Sequence, residues 1–353
     1  MRTYWSTIFD NPTHTFVIAE AGSNWKIGTY DEDIKQSKEL IHTAAKYGAD
    51  AIKFQTYRSK KVYAQNAGKS KYLKKQGIDI NINEIFDKFS MPYKMIPELS
   101  NFFKKENINF MSTPFSVEDA KQIDPFVTIH KVASYEINHI RLLEFLATTG
   151  KPILLSTGAS TYDEIDFAVK LLQKKNVKEI GILQCTAKYP ADIKALNLNI
   201  ISSFKKRYQL PVGFSDHSLD PIIGPIMAVG LGATFIEKHF TLNKNLSGPD
   251  HSFALEPNDL ELMIKAIRGA DLAKGSDKKE ILEDEQELHR FATRSIQTIK
   301  PIKKGDIFRE GVNFEILRPG EQIRGLDARF LVKIEGKKSL SNIDVGDGIT
   351  DFI

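Results

Sequence analysis

A single cysteine, Cys185, stands in 353 residues. No internal disulfide can form, and a reducing compartment is expected. Within Ile182-Leu183-Gln184-Cys185-Thr186 that thiol reads as a buried strand residue rather than a nucleophile. Charge of one sign is also scarce. Lys and Arg number 49 against 45 Asp and Glu, a net +4 at pH 7, which is too small a surplus for a nucleic-acid partner. Lysines clustered in a pocket would still serve a small anion. No apolar stretch approaches the roughly 20 residues that cross a bilayer. Residues 1–15 hold no apolar segment of the signal-peptide kind, so a cytoplasmic protein with no membrane partner is expected. There is no repeat of fixed period and no low-complexity tract.

What is present is an alternation. Eight short apolar runs begin near Phe16, Ala51, Asn109, Ile129, Pro152, Ile180, Pro211 and Phe235. Most are apolar on both faces until their last residues, as strands of a covered parallel sheet are. Amphipathic segments lie between them. In one, residues 33–46, Ile34, Leu40, Ile41, Ala44 and Ala45 share a face, and Gly48 follows as a C-cap glycine would. Eight strand–helix units in about 250 residues predict a (β/α)8 TIM barrel, an α/β fold. The helix after the third strand is short, confined to residues 116–124. The link from the second strand to the third, residues 57–93, is long and polar and is expected to fold over the barrel mouth as a lid. The pattern then predicts a barrel over residues 1–272, a charged linker over 273–294, and a small, mostly β domain over 295–353 with turn signals at Gly305-Asp306, Pro319-Gly320 and Gly346-Asp347.

Active sites of such barrels sit at the C-terminal strand ends, and the polar residues gather there. In strand order they are Glu20; Lys53 and Gln55; Ser112 and Thr113; Lys131, Ser134 and Glu136; Ser156 and Thr157; Thr186 and Tyr189; Ser215, Asp216 and His217; and Glu237 and His239, with Asp250 shortly after. Lys53 and Lys131 lie in otherwise apolar strands, where an ammonium is costly unless an anion pairs with it. Together with the hydroxyls of Ser134, Ser156 and Ser215 they suit a phosphate and a carboxylate. The alternative is that each lysine pairs with a barrel carboxylate, Glu20 or Glu237. His217 and His239 end adjacent strands. Their imidazoles, with Glu237 or Asp250 nearby, suit Mn²⁺, Mg²⁺ or Co²⁺ better than a closed structural Zn²⁺ site. The alternative there is a hydrogen-bonded pair of histidines without metal. His251 and His289 stand in polar segments and are expected at the surface.

Several of these residues fall in runs that resemble the sialic acid synthase family. The runs are Ile18-Ala-Glu-Ala-Gly-Ser-Asn24, Gly48-Ala-Asp-Ala-Ile-Lys-Phe-Gln55, Ser112-Thr-Pro-Phe115, Lys131-Val-Ala-Ser134, Ser156-Thr-Gly158, Gln184-Cys-Thr-Ala-Lys-Tyr-Pro190, Gly213-Phe-Ser-Asp-His217, Ile236-Glu-Lys-His239 and Gly248-Pro-Asp-His251. The tail, with Arg318-Pro-Gly320, resembles the antifreeze-like (SAF) domain of those enzymes. The resemblance implies a transferase that condenses phosphoenolpyruvate with N-acetylmannosamine or a related N-acylated amino-hexose, giving a nine-carbon 2-keto acid and phosphate. It implies phosphoenolpyruvate at Lys53, Lys131, Ser134, Ser156 and Ser215, and a divalent cation, Mn²⁺ first, on His217 and His239. Glu20, Glu237 and Asp250 become candidate catalytic groups, and Gln55, Thr113 and Tyr189 candidate substrate contacts. It further implies a domain-swapped homodimer in which Arg318 reaches the partner's sugar. The alternatives are a legionaminate or pseudaminate synthase acting on a 2,4-diacetamido-6-deoxy-hexose, and a 3-deoxy-aldulosonate phosphate synthase. The first motif departs from the family at Trp25-Lys26, where His-Asn-Gly is common. Ala187 replaces a usual Asn or Ser, and Lys188 beside it either supplies a substitute charge or faces solvent.

Overall fold

The computed structural model describes residues 11, 13–75 and 78–353; most of residues 1–15, the stretch inspected for a signal peptide, lies outside them. The chain divides into two compact units, one ending at Gly275 and one spanning Ser276–Ile353.

In the first unit, eight strands form one parallel sheet: β1 (Phe16–Gly22), β2 (Ala51–Thr56), β3 (Asn109–Pro114), β4 (His130–Val132), β5 (Ile153–Ser156), β6 (Ile180–Cys185), β7 (Val212–Asp216) and β8 (Phe235–His239). Their order is β3-β2-β1-β8-β7-β6-β5-β4. The two end strands, β3 and β4, are neighbours in space, so the sheet curls into a nearly closed (β/α)8 barrel. Every predicted strand is present, with ends moved by a residue or two. Between them run α1 (Tyr30–Lys46), α2 (Met95–Glu106), α3 (Val117–Ile123), α4 (Ile140–Thr148), α5 (Tyr162–Lys174), α6 (Asn199–Tyr208) and α7 (Ile223–Gly230), and α8 (Pro257–Lys274) follows β8. Among the described residues no helix is long and apolar enough to cross a membrane.

Period-two alternation builds two cores. Residues facing outward join the helices in the larger one, including Val17, Ala19, Ile52, Phe54, Ile153, Leu155, Ile182 and Phe214. Residues facing inward, Phe16, Ile18, Ala51, Met111, Ile129, Leu154, Leu183 and Phe235, fill the bottom of the barrel. Gly213 belongs to this inner layer, where a Cβ would stand 2.5 Å from Leu183 and 2.6 Å from Phe235. Continuing along the same inward face leads from Phe16 and Ile18 to Glu20, from Ala51 to Lys53 and Gln55, from Ile129 to Lys131, from Leu154 to Ser156, and from Phe235 to Glu237 and His239. The barrel is therefore apolar at its base and polar at its mouth.

The base is tied by charge. Thr15 donates to Asp271 through its amide (2.8 Å) and hydroxyl (2.6 Å), and Lys274 Nζ stands 2.8 Å from the same carboxylate. Burial pushes the Asp271 carboxyl up, but the Lys274 ammonium and the two Thr15 donors outweigh it and hold it below the usual range. Asp271→Asn is expected to cost about 1–3 kcal/mol at neutral pH. Because the folded value lies below the unfolded one, this contribution is complete above the unfolded carboxyl range and is lost as pH falls through the folded value. Urea melts should show the gap between wild type and variant closing in strongly acidic buffer; a constant gap would rule the carboxylate out as its source.

The segment linking β2 to β3 departs from the polar lid predicted. It carries three short helices, Ser59–Val62, Lys71–Lys75 and Ile82–Lys88, around an apolar cluster of Tyr57, Leu73, Ile82, Ile85 and Phe89. Ile82, Ile85 and Phe89 share one helical face, but over less than two turns, too short a run to stand out among polar neighbours.

The second unit contains an antiparallel pair, β9 (Ser295–Thr298) and β10 (Phe314–Leu317), over a core of Ile296, Ile302, Phe308, Phe314, Ile334 and Ile349. A 3-10 turn and a helix, Gln286–Ala292, precede β9. Arg318 is exposed just after β10. Gly320 takes φ +61°, a conformation suited to glycine, and its amide donates to Phe291 O at 3.0 Å.

Candidate active site

The inward polar residues meet at the barrel mouth in a register that puts opposite charges side by side. Glu20 pairs with Lys53 across β1–β2 and with His239 across β1–β8. Ser215 pairs with Glu237 across β7–β8. Lys53 Nζ lies 2.5 Å from Glu20 Oε2 and 3.7 Å from Glu237 Oε2, and donates to Thr113 Oγ1 at 3.1 Å. Lys131 Nζ donates to Ser156 Oγ at 2.7 Å and stands 3.6 Å from Glu237 Oε1. Ser215 donates to Glu237 at 3.0 Å, and Gln55 to Glu20 at 2.9 Å. The Gly158 amide donates to Ser134 Oγ at 2.9 Å, an approach that a Cβ would obstruct, because it would stand 3.0 Å from that oxygen. Both lysines are thus matched by barrel carboxylates, as the second sequence reading expected, and lie among the serine hydroxyls of the first.

Burial and pairing pull the two carboxylates apart. Glu20 is raised: burial outweighs its contact with Lys53, and Glu237 adds repulsion. Glu237 is lowered, since Lys131, Lys53 and the Ser215 hydroxyl together overcome burial. Burial lowers Lys131 against the pull of Glu237. Lys53 is raised because two carboxylates outweigh its burial. One group inclined to hold a proton and one inclined to release it, on adjacent strands, form an arrangement suited to general acid–base work.

The histidines converge as predicted, with ring centroids 5.5 Å apart and the Tyr189 ring 4.1 Å from that of His217. Thr186 O lies 2.8 Å from His217 Nδ1. A carbonyl only accepts, so Nδ1 carries a proton and Nε2 is the nitrogen left to face a ligand. His239 Nδ1 is buried with no hydrogen-bond partner. Burial, and then His217, hold this ring well below the ordinary histidine range, so it is neutral. His217 differs: burial lowers it, but Cys185 and the Thr186 carbonyl outweigh burial and raise this ring above the ordinary histidine value. An imidazole pair fits a divalent cation once His217 has released its Nε2 proton. Among the described residues no three His, Cys, Asp or Glu groups converge in a metal-binding cluster. Glu237 faces the lysines and Ser215. Asp250 Oδ2 accepts from the Ser23 amide (2.9 Å) and hydroxyl (2.7 Å), and Gly22, at φ +51°, leaves room for it, since a Cβ there would meet Oδ2 at 2.7 Å.

Two cavities share this mouth. A small one, about 60 Å³, is lined by Lys53, Lys131, Ser134, Ser156, Ser215, Glu237 and both histidines. A larger one, about 470 Å³, lies under the β2–β3 segment and contains Asp250. Gln55 and Tyr189 line both. A third, about 440 Å³, opens beside β5 and β6. Its polar groups are engaged with backbone: Thr157, Gln184 and Thr186 donate to Leu183, Leu196 and Ala195 carbonyls at 2.9, 3.0 and 2.8 Å, so it offers few free donors to a ligand.

Other expectations need correction. His251 is fully buried, with Nδ1 2.7 Å from Thr241 Oγ1, because the loop after β8 folds back on the barrel. Cys185 is buried as expected, yet it lines the small cavity with its sulfur 3.8 Å from His217 Nδ1. Trp25 is packed in the core, and Lys26 pairs with Asp33 at 2.6 Å; neither lines a cavity at the mouth. Lys188 is bound to Asp192 at 2.5 Å. Two features go beyond the sequence reading. Burial pushes the carboxyl of Glu136, one of the strand-end polar residues named above, up to about 7. Lys238 forms an enclosed ion pair with Asp216 at 2.5 Å on the outer face of β7–β8, and their direct register across those strands was the signal to follow.

Comparison with known proteins identifies the lineage. The profile of the NeuB family matches residues 40–279. The chain belongs to the NeuB family. It is 38% identical over 328 residues to the N,N'-diacetyllegionaminic acid synthase of Campylobacter jejuni, covering 92% of this chain and 96% of that one. It is similar to the spore coat polysaccharide biosynthesis protein SpsE of Bacillus subtilis, whose crystal structure superposes with a TM-score of 0.64 at 34% identity, covering 95% of this chain and 94% of that one. The N-acetylneuraminic acid synthetase of Leptospira borgpetersenii superposes with a TM-score of 0.69 at 32% identity, covering 78% and 90% of the two chains.

Proposed function

We propose that this NeuB-family chain condenses phosphoenolpyruvate with the open-chain aldehyde of an N-acylated amino-hexose, giving a nine-carbon 2-keto acid and inorganic phosphate. The acceptor is N-acetylmannosamine or a relative such as a 2,4-diacetamido-6-deoxy-hexose, the latter in keeping with the legionaminic acid synthase among its relatives. The observation that carries the reading is the small cavity. Two buried ammoniums and three serine hydroxyls surround a space of about 60 Å³, and it shares the lining residues Gln55 and Tyr189 with one large enough for a sugar.

In this reading Lys53 and Lys131 bind the carboxylate and phosphate of the donor by charge-assisted hydrogen bonds, taking over contacts now made by Glu20 and Glu237. Ser134, Ser156 and Ser215 add donors. Gln55 and Tyr189, at the junction, orient the aldehyde toward C3 of the donor. Glu20, Glu237 and Asp250 are the groups that hold or move protons as water adds at C2 and phosphate leaves. A divalent cation, Mn²⁺ first and Mg²⁺ or Co²⁺ after it, would be held by His217 and His239 and supply Lewis-acid polarisation of the aldehyde. The second unit is read as an antifreeze-like domain that presents Arg318 to the partner of a swapped homodimer.

The test is a product assay. Purified protein, phosphoenolpyruvate, Mn²⁺ and a panel of N-acyl amino-hexoses should give phosphate release that depends on the acceptor, and a 2-keto acid of the summed mass. Absence of acceptor-dependent release across the panel would sink the reading.

A further inference from the structure

The outer face of β7–β8 holds a charge pair to which the proposed reaction gives no task. Asp216 and Lys238 stand in direct register across the two strands, and both are buried. Lys238 Nζ lies 2.5 Å from Asp216 Oδ2. It also donates to Ser218 O at 2.8 Å and to Ser218 Oγ at 3.3 Å. The second carboxylate oxygen, Asp216 Oδ1, accepts from the Ser218 amide at 2.8 Å. Helix α7 closes over the pair at Gly224, where a Cβ would stand 2.9 Å from Asp216 Oδ2.

The places of these partners in the chain give the pair its meaning. Asp216 and Ser218 flank His217, and Lys238 precedes His239. One ammonium therefore ties both neighbours of the first imidazole to the strand that carries the second. Side chains alternate across a strand, so Lys238 stands on the outer face while His239 turns inward. None of Asp216, Ser218 and Lys238 lines the small cavity. On its other side His217 is held by the loop after β6: its carbonyl accepts from the Ala191 amide at 2.8 Å, and its Nδ1 meets Thr186 O at 2.8 Å. A buried ion pair is a weak source of net stability beside apolar residues of the same volume. What an ammonium adds is geometry, since its three donors are directed at a carboxylate, a carbonyl and a hydroxyl.

We infer that Lys238 and Asp216 are positioning residues for a cation on His217 and His239. They fix the spacing of the two imidazoles, and cation affinity depends on them although neither contributes a ligand, as groups behind metal ligands commonly do. The inference rests on the cation assigned above to those histidines.

The experiment uses the full chain, stripped of metal and titrated with Mn²⁺ alone, with free Mn²⁺ read by electron paramagnetic resonance. Lys238→Met combined with Asp216→Asn removes both charges, so that neither is left buried alone. This double variant should bind Mn²⁺ about tenfold to a hundredfold more weakly than wild type. Its metal-free affinity for phosphoenolpyruvate, measured by calorimetry, should be unchanged, because Lys53 and Lys131 are untouched. Ser218→Ala loses the hydroxyl contact, keeps the carbonyl contact, and should bind Mn²⁺ as wild type does. Lys238→Gln with Asp216→Asn, whose shorter amide cannot reach all three partners, is the second variant should the first fold poorly. Wild-type Mn²⁺ affinity in a folded double variant would overturn this inference alone and leave the pair a structural one. Equal losses of Mn²⁺ and phosphoenolpyruvate binding would do the same, since the whole mouth would then have been disturbed. Absence of Mn²⁺ binding to wild type would overturn the cation assignment and this inference with it.

Discussion

Replacing Lys53 by Met should weaken phosphoenolpyruvate binding about a hundredfold or more and, separately, destabilise the protein by about 3–5 kcal/mol. The first figure follows from losing one partner of a desolvated charge pair with an anionic ligand. The second follows from the same side chain's role before the ligand arrives. Lys53 is 3% exposed and touches two carboxylates, and breaking a buried pair from one side strands the other charge. Glu20 and Glu237 would then face each other with only Lys131 between them and the full cost of burial. Methionine keeps much of the apolar stem, so packing is a minor part of either effect. The double variant Lys53→Met/Glu20→Gln separates the two roles. It removes both members of the closest pair and should recover most of the stability. Calorimetry should still find phosphoenolpyruvate binding lost, while Glu20→Gln alone binds it. Recovery of binding along with stability would make Lys53 a structural counter-ion and place the donor elsewhere.

How much of this site the sequence reveals depends on which face a residue occupies. The inward series of β1, β2, β4, β5 and β8 reads directly from alternation, because apolar residues at the base lead every second position to Glu20, Lys53, Lys131, Ser156 and Glu237. Period two says nothing of the relation between strands, which is set by register. That is why the sequence leaves open whether Lys53 pairs with Glu20 or with Glu237, and why nothing in it marks Lys238, one position from two site residues, although this side chain is fully enclosed against Asp216. Loops are harder still. His251 lies among polar neighbours and looks exposed, yet the chain after β8 turns back and buries it. The β2–β3 segment shows no single period because its three helices are each under eight residues, too short for an amphipathic signature. The apolar cluster of Tyr57, Leu73, Ile82, Ile85 and Phe89 forms only once those helices pack. Among the described residues no carboxylate joins the histidine pair, for a related reason. Glu237 belongs to the inward series with His239, but the lysines two and four strands away around the barrel claim its oxygens.

Chelation followed by removal of bound metal should abolish condensation, and Mn²⁺ should restore it. His217 and His239 are the basis. Thr186 O fixes the proton of His217 on Nδ1, and His239 has a buried, unpartnered Nδ1 in a ring that burial keeps neutral. Two imidazoles without a third protein ligand among the described residues leave coordination positions for oxygen from substrate or water. That pattern suits an exchangeable Mn²⁺, Mg²⁺ or Co²⁺ better than a four-ligand zinc site. His239→Ala should lose bound metal and slow turnover about a thousandfold or more, since polarising a carbonyl contributes several kcal/mol. Its fold should survive, because the ring donates to no recorded partner through Nδ1. Metal content by elemental analysis and turnover are read on the same preparation. Full activity at verified zero metal would reject the assignment and leave the histidines a buried pair. The same variant examines Arg318. An Arg318→Ala chain keeps an intact barrel and lacks the guanidinium, while the His239→Ala chain has the reverse defect. If the small domain serves its partner, mixed dimers regain one complete site each, and activity rises from near zero toward a quarter of wild type at equal mixing. No recovery with heterodimers demonstrated by mass would mean that Arg318 acts on its own barrel or on none.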